Sequence, residues 1–190
     1  MSSALLVMDV QRAIVDIADT EKDSGYLPRL RRAIDGARAA NIPVIYVVIG
    51  FRPGFPEVGR SNKPLAAIAE AGLYVEGDHG TEIHPDVAPR PGDVVVSKRR
   101  ASAFSGSDLD VVLRARGIDS LVLTGIATSA VVLSTACQAN DLDFGLTVLS
   151  DGCLDLDPEV HRVLVERLFP QWADVPTVDD WLKTLVPQGS

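Results

Sequence analysis

Short apolar runs alternate with helical spacing along the whole chain. Ala4-Leu-Leu-Val-Met8 is an unbroken apolar run and reads as a strand buried on both faces. Leu27, Leu30, Ile34 and Ala37 then recur at helical spacing, and Asn41-Ile-Pro43 ends that helix. Val44 to Ile49 is the second strand and Val94-Val-Val96 the third. Leu109, Val112 and Leu113 mark a helix closed by Gly117, followed by a fourth strand at Leu121-Val-Leu-Thr124. Thr128 to Asn140 is small or apolar on most faces, the signature of a buried helix. Gly145 to Leu149 is the fifth strand, and Val160, Val163, Leu164 and Leu168 give another helix. Ala173-Asp-Val175 is a candidate sixth strand, with a terminal helix around Trp181.

Strict alternation of this kind predicts an α/β fold: a doubly wound, mostly parallel sheet with helices on both faces and right-handed crossovers. At 190 residues the chain suits a single domain spanning 1–190. Two stretches, 50–62 and 76–92, are rich in Gly and Pro and longer than ordinary connections. Loops of that length tend to carry function, although packing insertions and subunit contacts share the signature.

In open sheets of this class, ligands bind beyond the carboxyl ends of the strands, so the polar residues just past each apolar run are the informative ones. Strand one ends in Asp9 and then Gln11; strand three in Ser97 and Lys98; strand four in Thr124-Gly-Ile-Ala-Thr128; strand five in Ser150-Asp-Gly152. A carboxylate, an ammonium and a helix N-terminus converging on one crevice make a usable set of parts. The carboxylate moves a proton, the ammonium holds it ionised, and backbone N–H groups stabilise an oxyanion. The pattern alone leaves a plainer reading equally open, with Asp9 bonded locally and Lys98 a solvated charge at a strand end.

Composition narrows the classes. A net charge of -8 argues against partnership with nucleic acid or an anionic membrane. The apolar run before Asp9 is too short for a signal-peptide core, and no stretch has the length of a membrane span. Cys137 and Cys153 are the only cysteines, too few for a disulfide framework and without zinc-type spacing, so a cytoplasmic protein with reduced thiols is expected. His79, His84 and His161 form no HExxH pattern, and Gly-rich phosphate loops and the GxSxG elbow are absent. Neither a metal nor a cofactor is expected.

Three segments together carry a family resemblance. Leu5-Leu-Val-Met-Asp9-Val-Gln11 resembles the opening strand and D-x-Q motif of the isochorismatase-like (cysteine hydrolase) superfamily. Lys98-Arg-Arg-Ala-Ser-Ala-Phe104 resembles its lysine segment, and Leu123-Thr-Gly-Ile-Ala-Thr-Ser-Ala-Val131-Val-Leu-Ser-Thr-Ala136 its third motif, T-G-V-A-T-x-x-C-V-x-x-T-A. The segments follow family order, and the resemblance runs from about residue 4 to residue 176.

The resemblance implies a six-stranded sheet, a homodimer or larger assembly, and a small-molecule substrate. It also implies a site in which an aspartate activates a cysteine that attacks an amide-like carbonyl. A lysine supports the charge, and backbone N–H groups beside a non-proline cis peptide receive the oxyanion. Asp9 and Lys98 match, and the cis bond falls at Ile126–Ala127. The cysteine does not match: its position is Val131, which offers only its backbone N–H. Cys137 lies six residues on, about 9 Å along a helix and on another face. The isochorismatase branch also lacks the cysteine and uses the aspartate as an acid on a vinyl ether, although Gly125-Ile-Ala-Thr128 looks more like the cysteine branch.

The expectation is therefore a hydrolase that works through an Asp/Lys pair without a cysteine. The alternative is a degenerate member that binds a small ligand without turnover. Ile126 and Ala127 are expected to line the substrate site. Gln11 orients substrate or Asp9, or opens a helix; Phe104 walls the pocket, or packs in the core. Arg52 holds a substrate carboxylate, or, the more expected case, is a solvated loop charge.

Overall fold

The computed structural model describes residues 2–19 and 25–185. Five strands, β1 (Ser3–Met8), β2 (Val44–Ile49), β3 (Val94–Lys98), β4 (Ser120–Ile126) and β5 (Gly145–Leu154), form one sheet in the order β3-β2-β1-β4-β5. Every pairing is parallel. The alternation within the inner apolar runs serves two cores. Ala4, Leu6 and Met8 of β1 face one side with Ile45, Val47, Leu121 and Leu123. Leu5 and Val7 face the other with Val44, Tyr46 and Val122. A strand buried on both faces has no polar side, which is why these segments read as continuous runs.

Helices α1 (Arg12–Ala18) and α2 (Tyr26–Ala39) cover the second face together with α7 (Val178–Leu185). The first face is covered by α4 (Leu109–Ala115), α5 (Leu133–Asp141) and the segment that begins with α6 (Pro158–Val163). α3 (Lys63–Glu70) belongs to neither layer. Its Leu65 packs with Ile49 and Phe51 in a small cluster beyond the end of β2.

The expected sixth strand is not formed, and the sheet has five. Around Ala173-Asp-Val175 the chain lies beside β5, but as an isolated bridge between Thr147 and Asp174. Val148 N–H donates to Asp174 O at 2.8 Å and Ser150 N–H to Pro176 O at 2.9 Å. Pro176 has no N–H to return, so the ladder stops there. β5 departs in the other direction. Ser150-Asp-Gly152 has turn composition yet stays in the strand, which runs to Leu154 across a register shift opposite Leu123 and Gly125.

The sheet order fixes where a site can lie. The chain steps outward from β1 to β3 and then returns to place β4 on the other side of β1. Beyond the carboxyl ends of β1 and β4 the connections part in opposite directions and leave a crevice. Gly125 lets the two strands close there. It has φ +143°, and a Cβ would stand 2.2 Å from the carbonyl oxygen of Met8. Only glycine meets both demands. No helix among the described residues is long and apolar enough to cross a membrane.

Gly125→Ala should therefore lower the unfolding free energy in urea by about 3 kcal/mol or more. An unchanged midpoint would show that β1 and β4 are not held at this separation.

Candidate active site

Asp9 is the first residue past β1 and Lys98 the last of β3, with β2 between them. Two strand spacings are about 9.5 Å, a gap an extended lysine and an aspartate can bridge across the end of β2. They do so: Lys98 Nζ lies 2.8 Å from Asp9 Oδ2. Lys98 is 1% exposed and Asp9 6%. The ammonium also donates to the carbonyl of Arg100 at 2.9 Å. Asp9 has φ +56°, a left-handed conformation that aspartate tolerates better than most residues, and its N–H is held by Val47 O at 2.8 Å. Its second oxygen, Oδ1, is buried without a hydrogen-bond partner in the protein. Burial pushes the Asp9 carboxyl above the usual carboxylate range, while the Lys98 charge, the Lys98 hydrogen bond and the Ile49 backbone pull it back only in part.

The pair opens into a cavity of about 360 Å³ at the switch point of the sheet. Ile14, Ile17 and Ala18 of α1 form one wall and Leu65 and Ile68 of α3 another. Ile126, Ala127, Ala130 and Val131 form a third, where β4 passes into a π-helical turn at Thr128–Val132. The Ile126–Ala127 peptide is cis. Val131 is 1% exposed and is among the lining residues. Among the described residues, no Cys, Ser or Thr side chain lines the cavity. Cys153, on β5, is buried beside β4 with its thiol on Leu123 O at 3.8 Å, and burial pushes that thiol up to about 12. Cys137 is exposed.

The turn is fixed from below. Ser129 N–H donates to Asp155 Oδ2 at 2.6 Å, and Thr128 Oγ1 lies 2.8 Å from His161 Nδ1. Thr128 is fully buried, so its hydroxyl braces the turn and does not face the cavity. This helical segment continues into α5, and its N-terminal end borders the crevice; the Ala130 and Val132 N–H groups donate to Ala127 O, while among the described residues no partner is shown for that of Val131.

Of the residues singled out from sequence, Asp9, Lys98, Ile126, Ala127 and Val131 share the cavity, and Gln11, Phe104 and Arg52 are not among its lining. The Gln11 amide is committed elsewhere. It donates to Ile49 O at 2.9 Å and Thr81 O at 2.8 Å and accepts from Ile49 N–H at 2.9 Å, tying β2 to the 76–92 loop beside Asp9. Phe104 stacks against Phe144, ring centroids 5.9 Å apart, in the core under α4 and α5. The Arg52 side chain is 62% exposed and pairs with Glu57 at 3.0 Å.

Glu57 was not visible as a hub from sequence. It also takes Arg99 Nε at 3.3 Å, and its carbonyl accepts from Arg100 at 2.8 Å, so three arginines hold the 50–62 loop in place. The α1 and α3 walls were missed as well, although Ile14/Ile17 and Leu65/Ile68 are i,i+3 apolar pairs. Asp151, past the expected end of strand five, caps α7 by accepting from Val178 N–H at 2.7 Å. Among the described residues no group of three or more His, Cys, Asp or Glu side chains is placed to hold a metal ion.

Comparison with known proteins shows the family and the fold. Residues 3–180 match the family model described as Isochorismatase domain. Ureidoacrylate amidohydrolase RutB of Pseudomonas syringae pv. syringae (strain B728a) is 33% identical, the alignment covering 98% of this chain and 85% of the relative. A cysteine hydrolase from Pseudomonas syringae pv. phaseolicola 1448A shares the fold, with a TM-score of 0.87 over 97% of this chain and 92% of the other at 22% identity. N-carbamoylsarcosine amidase from Thermoplasma acidophilum superposes with a TM-score of 0.76 at 28% identity, over 94% and 98% of the two chains.

Gln11→Met should lower stability by about 2–4 kcal/mol, because three buried backbone groups lose their partner. Chemical denaturation checks this. Wild-type stability with a raised KM would assign the Gln11 amide to substrate instead.

Proposed function

The chain belongs to the isochorismatase family of hydrolases, and we propose that it hydrolyses a small molecule without a cysteine, using Asp9 as the proton carrier and Lys98 as its electrostatic partner. The observation that carries this reading is the buried Asp9–Lys98 pair, whose unpartnered Oδ1 lies beside a cavity that, among the described residues, has no thiol or hydroxyl nucleophile of Cys, Ser or Thr in its lining. In this reading Val131 occupies the position of the family cysteine and contributes its backbone N–H alone.

The relatives named amidohydrolase and amidase favour a C–N bond next to a carbonyl as the target. Asp9 takes a proton from a water molecule, and the hydroxide oxygen adds to the carbonyl carbon. The oxyanion is received by N–H groups of the turn from Ala127 to Val131, at a helix N-terminus. Collapse expels the amine, which takes the proton held by Asp9, and the products are a carboxylic acid and an amine. A carboxyl pushed above its usual range is a stronger base than an ordinary aspartate, which suits it to draw a proton from water near neutral pH. The reading extends to a cytoplasmic homodimer or larger assembly, supported by the exposed apolar Leu156, Val160 and Val163 on one surface segment.

Asp9→Asn should lower turnover by about a hundredfold or more on any cleaved member of a panel of small amides and isochorismate, read by mass spectrometry, while the variant still unfolds cooperatively. A folded variant with retained turnover would exclude the proposed role.

The pH profile gives a second check. A base must be ionised, so kcat/KM falls as pH falls through the Asp9 titration, and that limb lies above the usual carboxylate range. Lys98 opposes the upward shift, so Lys98→Met should move the limb to still higher pH. A limb at the ordinary aspartate position, unmoved in Lys98→Met, would detach the profile from this pair.

A further inference from the structure

Resting on that reading of the cavity, we propose that its substrate is an uncharged molecule with an apolar body, whose one polar reacting group sits against Asp9 and Lys98. Among the described residues, the only charged side chains in the lining are these two, and above the Asp9 titration they cancel. Asn62 and Tyr74 are the remaining polar side chains; every other lining residue is aliphatic, alanine or proline. The apolar character continues to the rim, where Ile17 is 50% and Leu156 62% exposed.

Three arginines of the flanking loops are engaged away from the cavity. Arg52 is held by Glu57, and Arg99 by Glu57, Glu76 and the carbonyl of Gly50. Arg100 donates to the carbonyls of Arg99 and Glu57. A substrate carboxylate entering the cavity would lose its water, find no uncompensated cation in the lining, and approach the unpartnered Asp9 Oδ1. A substrate cation would find the one carboxylate already paired. Both are penalised as unpaired charges in an apolar enclosure. An uncharged amide meets no such cost. It can offer its carbonyl to the turn and its apolar tail to the α1 and α3 walls. The volume of about 360 Å³ lies near the small end of ligand pockets, which span about 300–1,000 Å³.

Isothermal titration calorimetry at mildly alkaline pH with three matched probes tests this: hexanamide, 6-amino-6-oxohexanoate and 6-aminohexanamide. Hexanamide should bind about tenfold or more tightly than either charged analogue. Ile17→Arg, which adds a cation at the half-exposed rim, should narrow the gap for the carboxylate. A carboxylate or amine that binds as well as hexanamide overturns the proposal, as does no binding of hexanamide up to its solubility limit. Product formation is followed separately. Preferred binding of hexanamide without cleavage would uphold the ligand class and defeat the hydrolytic reading. Cleavage that favours the carboxylate would do the reverse.

Discussion

Lys98 and Asp9 stand 2.8 Å apart with almost no access to solvent, so each is the other's compensating charge. Removing one member of such a pair leaves an uncompensated buried charge, a cost of about 3–5 kcal/mol. The surrounding architecture follows from bringing them together. β2 must end between them, and Gln11 holds that end by bonding both backbone groups of Ile49. The 50–62 loop must clear the path of the lysine, and the arginines gathered on Glu57 keep it aside. β4 must approach β1 closely enough to bring the Ala127–Val131 turn to the same crevice, which Gly125 permits.

In the proposed mechanism these parts divide the work. The carboxylate handles the proton, the ammonium tunes it, and the turn receives negative charge as it develops. The apolar walls exclude water from everything except the attacking molecule, which strengthens each electrostatic contact inside. The Asp155 and His161 contacts beneath the turn hold its N–H groups in direction, so little reorganisation is needed as charge forms.

Much of this was legible in the sequence. β1 and β2 are unbroken apolar runs because they are inner strands buried on both faces, and the charged residues just past β1 and at the end of β3 are the pair that meets. What stayed hidden depends on contacts between distant segments. Gln11 reads as a polar residue near a strand end, and nothing local says that its amide is consumed by Ile49 and Thr81. Arg52 reads foremost as a solvated loop charge, and it is one, but its partner Glu57 is not foretold by the sequence. The Ala173–Val175 segment has strand composition, but Pro176 limits it to a bridge. Gly152 suggests a turn, whereas β5 carries through it to Leu154.

The central claim is that hydrolysis here proceeds without a thiol, and a cysteine-free chain tests it most directly. Turnover of the Cys137→Ala/Cys153→Ala protein should be measured beside wild type on whichever compound the wild type cleaves. The account predicts equal rates, because one cysteine is exposed away from the cavity and the other is packed beside β4 with its thiol pushed up to about 12. A folded double variant that has lost turnover would contradict it and return the chemistry to a cysteine.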